Sequence, residues 1–284
     1  MLFNTSEINF TCSKVMGILN VTPDSFSDGG RYSTVARAVD QARIMISQGA
    51  DFIDVGGEST RPGAPEVSEG EELARVIPVI EAIKQKFDVV VSVDTSKAAV
   101  MTAATAAGAA LINDVRALQQ PHALTAAAEA DVPVCLMHMQ GSPDTMQIKP
   151  GYNDVVAEVR GFLQARINAC LDAGIKKTNI IVDPGFGFGK TLAHNYRLLA
   201  ELSSIQALGF PVLVGMSRKS MVGNVLNNKI DERLAGSLAL ATLAAQANAD
   251  IIRVHDVAET VDIVRIVNQF LAVKNNSGVD SDRA

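Results

Sequence analysis

A set of polar residues recurs along this chain, each just after a short apolar run: Asn20, Asp54, Thr60 with Arg61, Asp94, Asn113, His138, Asp183, Ser217 with Lys219, and Arg253 with His255. Two kinds of chemistry are available in that set. Arg61, Arg253 and His255, with the amide of Asn20, suit an anion such as phosphate or pyrophosphate, because guanidinium forks match phosphate oxygens and an imidazole N–H can donate to them. Asp94, Asn113 and Asp183 suit a flat polar heterocycle. Two carboxylates and an amide satisfy donors and acceptors on a ring and select against its isosteres. A metal held by Asp94 and Asp183 is a weaker alternative, since no His or Glu joins them at a ligand spacing. Each residue alone has a plainer explanation. Strand ends meet water or cap the next helix, and Arg61 alone is a solvated charge. Asp54 and Asp114 can tie loops together, and His138 suits a structural role as well as a functional one. Ser217 and Ser220 have no adjacent histidine base, so a serine nucleophile is not expected.

The stretch from Asp183 to Thr191, DPGFGFGKT, looks at first like a phosphate loop. A G-x-x-x-x-G-K-T loop needs its first glycine five residues before the second, and counting back from Gly189 lands on Pro184. Proline has no N–H to offer a phosphate. The dinucleotide pattern G-x-G-x-x-G would need a glycine at Lys190, so it fails as well. The glycines are better read as letting the backbone turn sharply after Asp183.

The elements that must position these residues form a regular series. Eight apolar runs each end in polar residues and lead to a helical pattern: 15–19, 52–55, 89–93, 110–112, 132–137, 180–182, 212–214 and 251–252. They are nearly continuous in apolar residues, as strands buried on both faces are. Helices are expected at about 35–48 with Gly49 as the stop, at about 69–87 after a Ser68/Glu71 capping box, and from near Pro121. Pro78 should kink the second or mark a restart. A short extra turn is expected at 220–226, then helices at about 231–248 and 259–273. Eight such units predict an α/β fold, a single-domain (β/α)8 barrel over residues 15–273, with a segment 1–14 before it and a polar tail 274–284. Active sites of such barrels lie where strands end, which gathers the scattered polar residues into one ring.

Composition sets bounds. The chain has 284 residues, 48% hydrophobic and 20% charged, enough for a large core. Its formal net charge of −6 disfavours a nucleic-acid groove. No signal peptide and no membrane span are expected, and three widely spaced cysteines fit a reducing, cytoplasmic setting.

Several long motifs resemble the dihydropteroate synthase family: MGILNVTPDSFSDGG at 16–30, DVGGESTRPG at 54–63, DPGFGFGK at 183–190, GMSRKS at 215–220 and RVHD at 253–256. The resemblance runs from the first strand to the last helix. It implies an enzyme of folate biosynthesis, a transferase that joins 6-hydroxymethyl-7,8-dihydropterin pyrophosphate to 4-aminobenzoate. By that similarity Asp94, Asn113, Asp183 and Lys219 hold the pterin, while Asn20 binds Mg2+ and with Arg253 and His255 holds the pyrophosphate. Thr60, Arg61 and Pro62 belong to a loop over the site. Phe188, Lys219 and Ser220 border the aminobenzoate, where sulfonamides inhibit this family. A homodimer is implied as well. Rival readings are a pterin-binding methyltransferase module, a non-catalytic paralogue and a phosphate-binding isomerase barrel. The first would not need Arg61, Arg253 and His255, and the last would want an acid/base Glu or Lys beyond Lys219.

Overall fold

The computed structural model describes residues 1–22, 31–59, 66–141, 146 and 150–276. The chain opens with a small antiparallel hairpin, β1 (Leu2–Phe3) and β2 (Ser6–Glu7). The eight expected strands follow: β3 (Lys14–Asn20), β4 (Phe52–Gly56), β5 (Val90–Asp94), β6 (Leu111–Asp114), β7 (Val134–Met137), β8 (Ile180–Asp183), β9 (Leu213–Val214) and β10 (Ile251–Val254). All pairings are parallel, in the order β8-β7-β6-β5-β4-β3-β10-β9. A parallel bridge between Val182 and Val212 joins the two ends and closes the barrel.

Period-2 alternation sorts each strand's residues. Val15, Ile53, Val91, Ile112, Val134, Ile180, Val212 and Ile252 belong to the large cluster that packs against the helices. Met16, Phe52, Val90, Leu111, Cys135, Ile181, Leu213 and Ile251 form a second cluster inside the barrel, joined by Phe3 from β1. Phe3 meets Phe52 edge-on at 5.1 Å, so the hairpin plugs the lower end. One step further along the same inner faces come Asp54, Ser92, Asn113, Asp183 and Arg253, while β3 and β7 stay apolar at Ile18 and Met137. Register places Asn20, Gly56, Asp94 and Asn113 in a single row across β3 to β6. Continuous apolar runs in sequence are therefore two interleaved sets, and the inner set changes character at the mouth.

The helices are α1 (Arg31–Ser47), α2 (Glu69–Lys86), α3 (Ala98–Ala106), α4 (Ala123–Ala130), α5 (Val155–Asp172), α6 (Leu192–Ala200), α7 (Leu202–Gln206), α8 (Ser220–Leu226), α9 (Leu234–Gln246) and α10 (Val257–Asn276). The extra turn after β9 is present as α8. Several expected boundaries shift. α4 does not start at Pro121, because His122 takes a left-handed φ of 63° that removes it from the helix. α2 runs through Pro78 without a restart. Ser68 caps it by accepting from Glu71 N, but the Glu71 carboxylate pairs with Arg75 instead of returning to the cap. A 3-10 turn, Ile230–Glu232, precedes α9 where one helix was expected, and α10 runs past 273 to Asn276. None of the described helices is long and apolar enough to cross a membrane.

The β4–α2 connection has an ionic anchor. Lys97 Nζ donates to Glu58 Oε2 at 2.6 Å and to Glu72 Oε2 at 2.5 Å, and Glu58 Oε1 accepts from Val67 N at 3.0 Å. The Glu72 side chain is fully buried, so this ammonium is its compensation for lost water. Lys97→Met should destabilise the fold by about 3 kcal/mol, the usual cost of leaving a buried charge unpaired. Urea unfolding measures it, and a change below about 0.5 kcal/mol, typical of an ordinary surface site, would show that the trio is not holding this corner.

Candidate active site

The centre of the mouth is a guanidinium between two carboxylates. Arg253 on β10 donates from Nε to Asp54 Oδ2 at 2.6 Å and from Nη2 to Asp94 Oδ2 at 2.7 Å. Asn113 Nδ2 donates to the same Asp54 oxygen at 3.1 Å. Strands β4, β5, β6 and β10 are thus linked through side chains inside the barrel. A guanidinium has five N–H donors and these bonds use two of them. Asp54 is wholly buried, and its Oδ1 has no hydrogen-bond partner among the described residues. A buried carboxylate oxygen in that state marks a place where a ligand donor can sit.

Burial raises Asp94 to about 7, against the pull of Arg253 and with a push from Asp54. Burial also raises Asp183, opposed chiefly by Lys219. Asp183 closes β8, and its Oδ1 accepts from Gly185 N at 2.7 Å. Lys219 follows β9. Its Nζ donates to Phe186 O at 2.5 Å and lies 4.6 Å from the centre of the Phe188 ring. Burial lowers this lysine to about 8, although Asp183 holds its proton. Phe188 packs with Val115, Met137 and Met146, which gives the mouth one apolar wall. Ser220 is exposed at the start of α8.

The glycines of the β8 turn are required by its shape. Gly185, Gly187 and Gly189 have φ of 70°, 82° and 63°. A Cβ on Gly185 would lie 1.9 Å from His138 O. Gly56 acts differently. It leaves open the space between Asn20 and Asp94, where a Cβ would stand 3.7 Å from Asn20 Oδ1 and 3.6 Å from Asp94 Cβ. The Asn20 amide oxygen is a hard donor at the mouth. Among the described residues no group of three or more His, Cys, Asp or Glu is placed to hold a metal. A single amide fits Mg2+ of the kind carried mainly by substrate phosphates and water.

Most of the expected ring comes together: Asp54, Asp94, Asn113 and Arg253 are hydrogen-bonded, with Asp183 and Lys219 beside them. Thr60, Arg61 and Pro62, and most of the two loops around 22–33 and 58–67, lie outside the described residues. One expectation is corrected. Ser217 does have a histidine neighbour: its Oγ is 3.0 Å from His255 Nδ1 and accepts from His255 N at 3.2 Å. Pairing of β9 with β10 brings these distant positions together. Asp114 proves structural, accepting from Ser96 Oγ and from the N–H groups of Arg116 and Leu118. His138 lies outside the ring, edge-on to Phe162 at 4.9 Å, with burial and Lys190 lowering it to about 3. Asp54 does tie parts of the barrel together, linking β4 to β6 and β10, and it does so at the centre of the polar cluster; its place two residues before the strand end, at an inward position, is the signal.

Fold and site define a (β/α)8 barrel of the enzyme type, whose mouth has groups suited to a polar heterocycle beside an anion. The model for pterin-binding enzymes matches residues 16–255. The dihydropteroate synthase of Escherichia coli K12 is 59% identical over 271 residues, covering 95% of this chain and 96% of that protein. The Yersinia pestis dihydropteroate synthase, solved with a sulfonamide drug, has a TM-score of 0.92 and 56% identity over 96% of this chain and 99% of that one. The Xanthomonas albilineans enzyme, solved with 4-aminobenzoic acid, has a TM-score of 0.87 and 51% identity over 94% and 95%. The chain belongs to the dihydropteroate synthase family.

The electrostatics of the cluster can be checked without substrate. Arg253→Met removes the cation that holds Asp94 down, so its titration should move upward from about 7. Carboxyl-carbon NMR in the free protein reads this. An unmoved Asp94 titration would mean that the guanidinium does not set its charge.

Proposed function

We propose that the barrel mouth joins 6-hydroxymethyl-7,8-dihydropterin pyrophosphate to 4-aminobenzoate, giving 7,8-dihydropteroate and pyrophosphate. The observation that carries this reading is the hydrogen-bonded set Asp54, Asn113, Asp94 and Arg253 at the strand ends, with Asp183 close enough to feel the charges of Lys219 and Arg253. It offers a pterin several acceptors and an amide on rigid strand ends. Membership of the family supports it.

The C–O bond to the pterin CH2 breaks and its electron pair leaves with pyrophosphate. The lone pair of the arylamine forms the new C–N bond, and the amine then loses a proton to solvent. An arylamine attacks as a neutral molecule, so neither Ser217 nor any other side chain need act as a nucleophile. Asp94 and Asp183 favour positive charge developing at the CH2, and Lys219 fixes the ring from the β9 side. The unused donors of Arg253 meet the leaving anion. His255 can do so as well. Ser217 Oγ accepts from His255 N and lies 3.0 Å from Nδ1; in the tautomer where Ser217 donates to Nδ1, a neutral His255 carries its proton on Nε2 and can donate to an oxyanion. Mg2+ held by Asn20 and the pyrophosphate would supply further charge neutralisation. Phe188 and Ser220 border the aminobenzoate, and Thr60, Arg61 and Pro62 complete the site by family resemblance.

The test is release of pyrophosphate that depends on 4-aminobenzoate. Equal release without it, or none with it, would overturn the reading. A secondary isotope effect at the labelled CH2 should be large, as for a cation-like transition state; a small one, typical of tight displacement, would refute that part.

The reading includes a cytosolic homodimer. Ile266, Phe270 and Val273 on α10 are 67%, 52% and 57% exposed, spaced to form one stripe, and Leu243 on neighbouring α9 is 48% exposed. A second copy is the occupant that removes this stripe from water. Phe270→Glu should turn a dimer into a monomer in sedimentation at micromolar concentration. A parent protein that sediments as a monomer would end the claim.

A further inference from the structure

Lys190 is a buried lysine to which the proposed chemistry gives no role, and burial lowers it to about 7 against the pull of Asp183. It is 3% exposed, and its Nζ reaches Gly185 O at 2.8 Å, Phe188 O at 2.9 Å and His138 Nδ1 at 3.0 Å, with His138 O at 3.4 Å. An ammonium has three donors, and three close acceptors converge on it. Two of them are carbonyls of the turn that follows Asp183. That turn has three left-handed glycines and so has little intrinsic preference for its shape. Phe188 N donates to Gly185 O at 3.1 Å within the turn, and other groups are tied from outside it: Phe186 O by Lys219, Gly187 N by Asn195 Oδ1 at 2.7 Å, and Gly189 O by Tyr152 at 2.8 Å.

Asp183 and Phe188 depend on this arrangement to different degrees. Asp183 belongs to β8, and its carbonyl accepts from His138 N at 2.9 Å, so the sheet fixes it. Phe188 is out on the turn, and its carbonyl is held by Lys190. We propose that Lys190 is a positioning residue that sets the Phe188 wall and thereby the affinity for the arylamine substrate, while leaving the pterin subsite to the strands. A tetrahedral ammonium suits three convergent acceptors, whereas a planar guanidinium does not. The inference rests on the proposed placement of 4-aminobenzoate against Phe188.

Steady-state kinetics of Lys190→Met, similar in length but without donors, tests it. The KM for 4-aminobenzoate should rise about tenfold or more, matching the loss of the hydrogen bonds that hold the turn, while the KM for pterin pyrophosphate stays within about twofold. Equal changes in both, or none in either, would overturn the assignment. His138→Leu keeps the turn's own carbonyls and removes one acceptor of Lys190. It should raise the 4-aminobenzoate KM by a smaller factor, and it decides the matter if Lys190→Met does not fold; an unchanged KM then counts against the proposal. Phe188→Ala separates the two levels of argument. If it leaves the 4-aminobenzoate KM unchanged, the placement of that substrate is wrong. If it raises the KM and Lys190→Met does not, only the role of Lys190 fails.

Discussion

The mouth of this barrel depends on one guanidinium held between two buried carboxylates. Asp54 and Asp94 stand on adjacent strands, where two negative charges out of water would repel each other and take up protons. Arg253, reaching across from β10, makes their coexistence tolerable. Such a pair is not a gain in stability over an apolar core, since desolvation offsets much of the attraction. Its value is that acceptors of fixed direction face the cavity, while the same cation keeps donors for an anion. A heterocycle that bears a leaving anion needs both, a few ångströms apart.

Everything else serves to hold that arrangement still. Apolar inner residues, from Met16 to Ile251, fill the lower barrel, and Phe3 closes it. Outer residues of the same strands bind the helices. The polar side chains begin one step above the filled layer, so their backbone is packed on both faces and they have little freedom to drift. Two lysines divide the turn after Asp183 between them, Lys219 holding Phe186 O and Lys190 holding Gly185 O and Phe188 O.

Much of this was legible in the sequence, for physical reasons. A strand buried on both faces must be apolar throughout, so the eight runs stood out. A polar residue that ends such a run must face the mouth or cap a helix, so Asp94, Asn113, Asp183 and Arg253 stood out as well. The illegible parts depend on contacts between distant segments. The apolar runs conceal which residues face inward, and that concealed the importance of Asp54. The Ser217–His255 contact exists only because β9 and β10 are neighbours. The start of α4 was misplaced because the left-handed φ of His122 leaves no sign in residue type. Lys190 looked like part of a phosphate-loop ending, and its burial under the turn followed only from the fold.

The most direct measurement is a crystal structure with 6-hydroxymethyl-7,8-dihydropterin pyrophosphate bound. The pterin ring should contact Asp94, Asn113 and Asp183 together, with the diphosphate towards Arg253 and His255 and the Arg253–Asp54 bond kept. A ring bound elsewhere, or an Arg253 that abandons both carboxylates to reach the anion, would contradict the account.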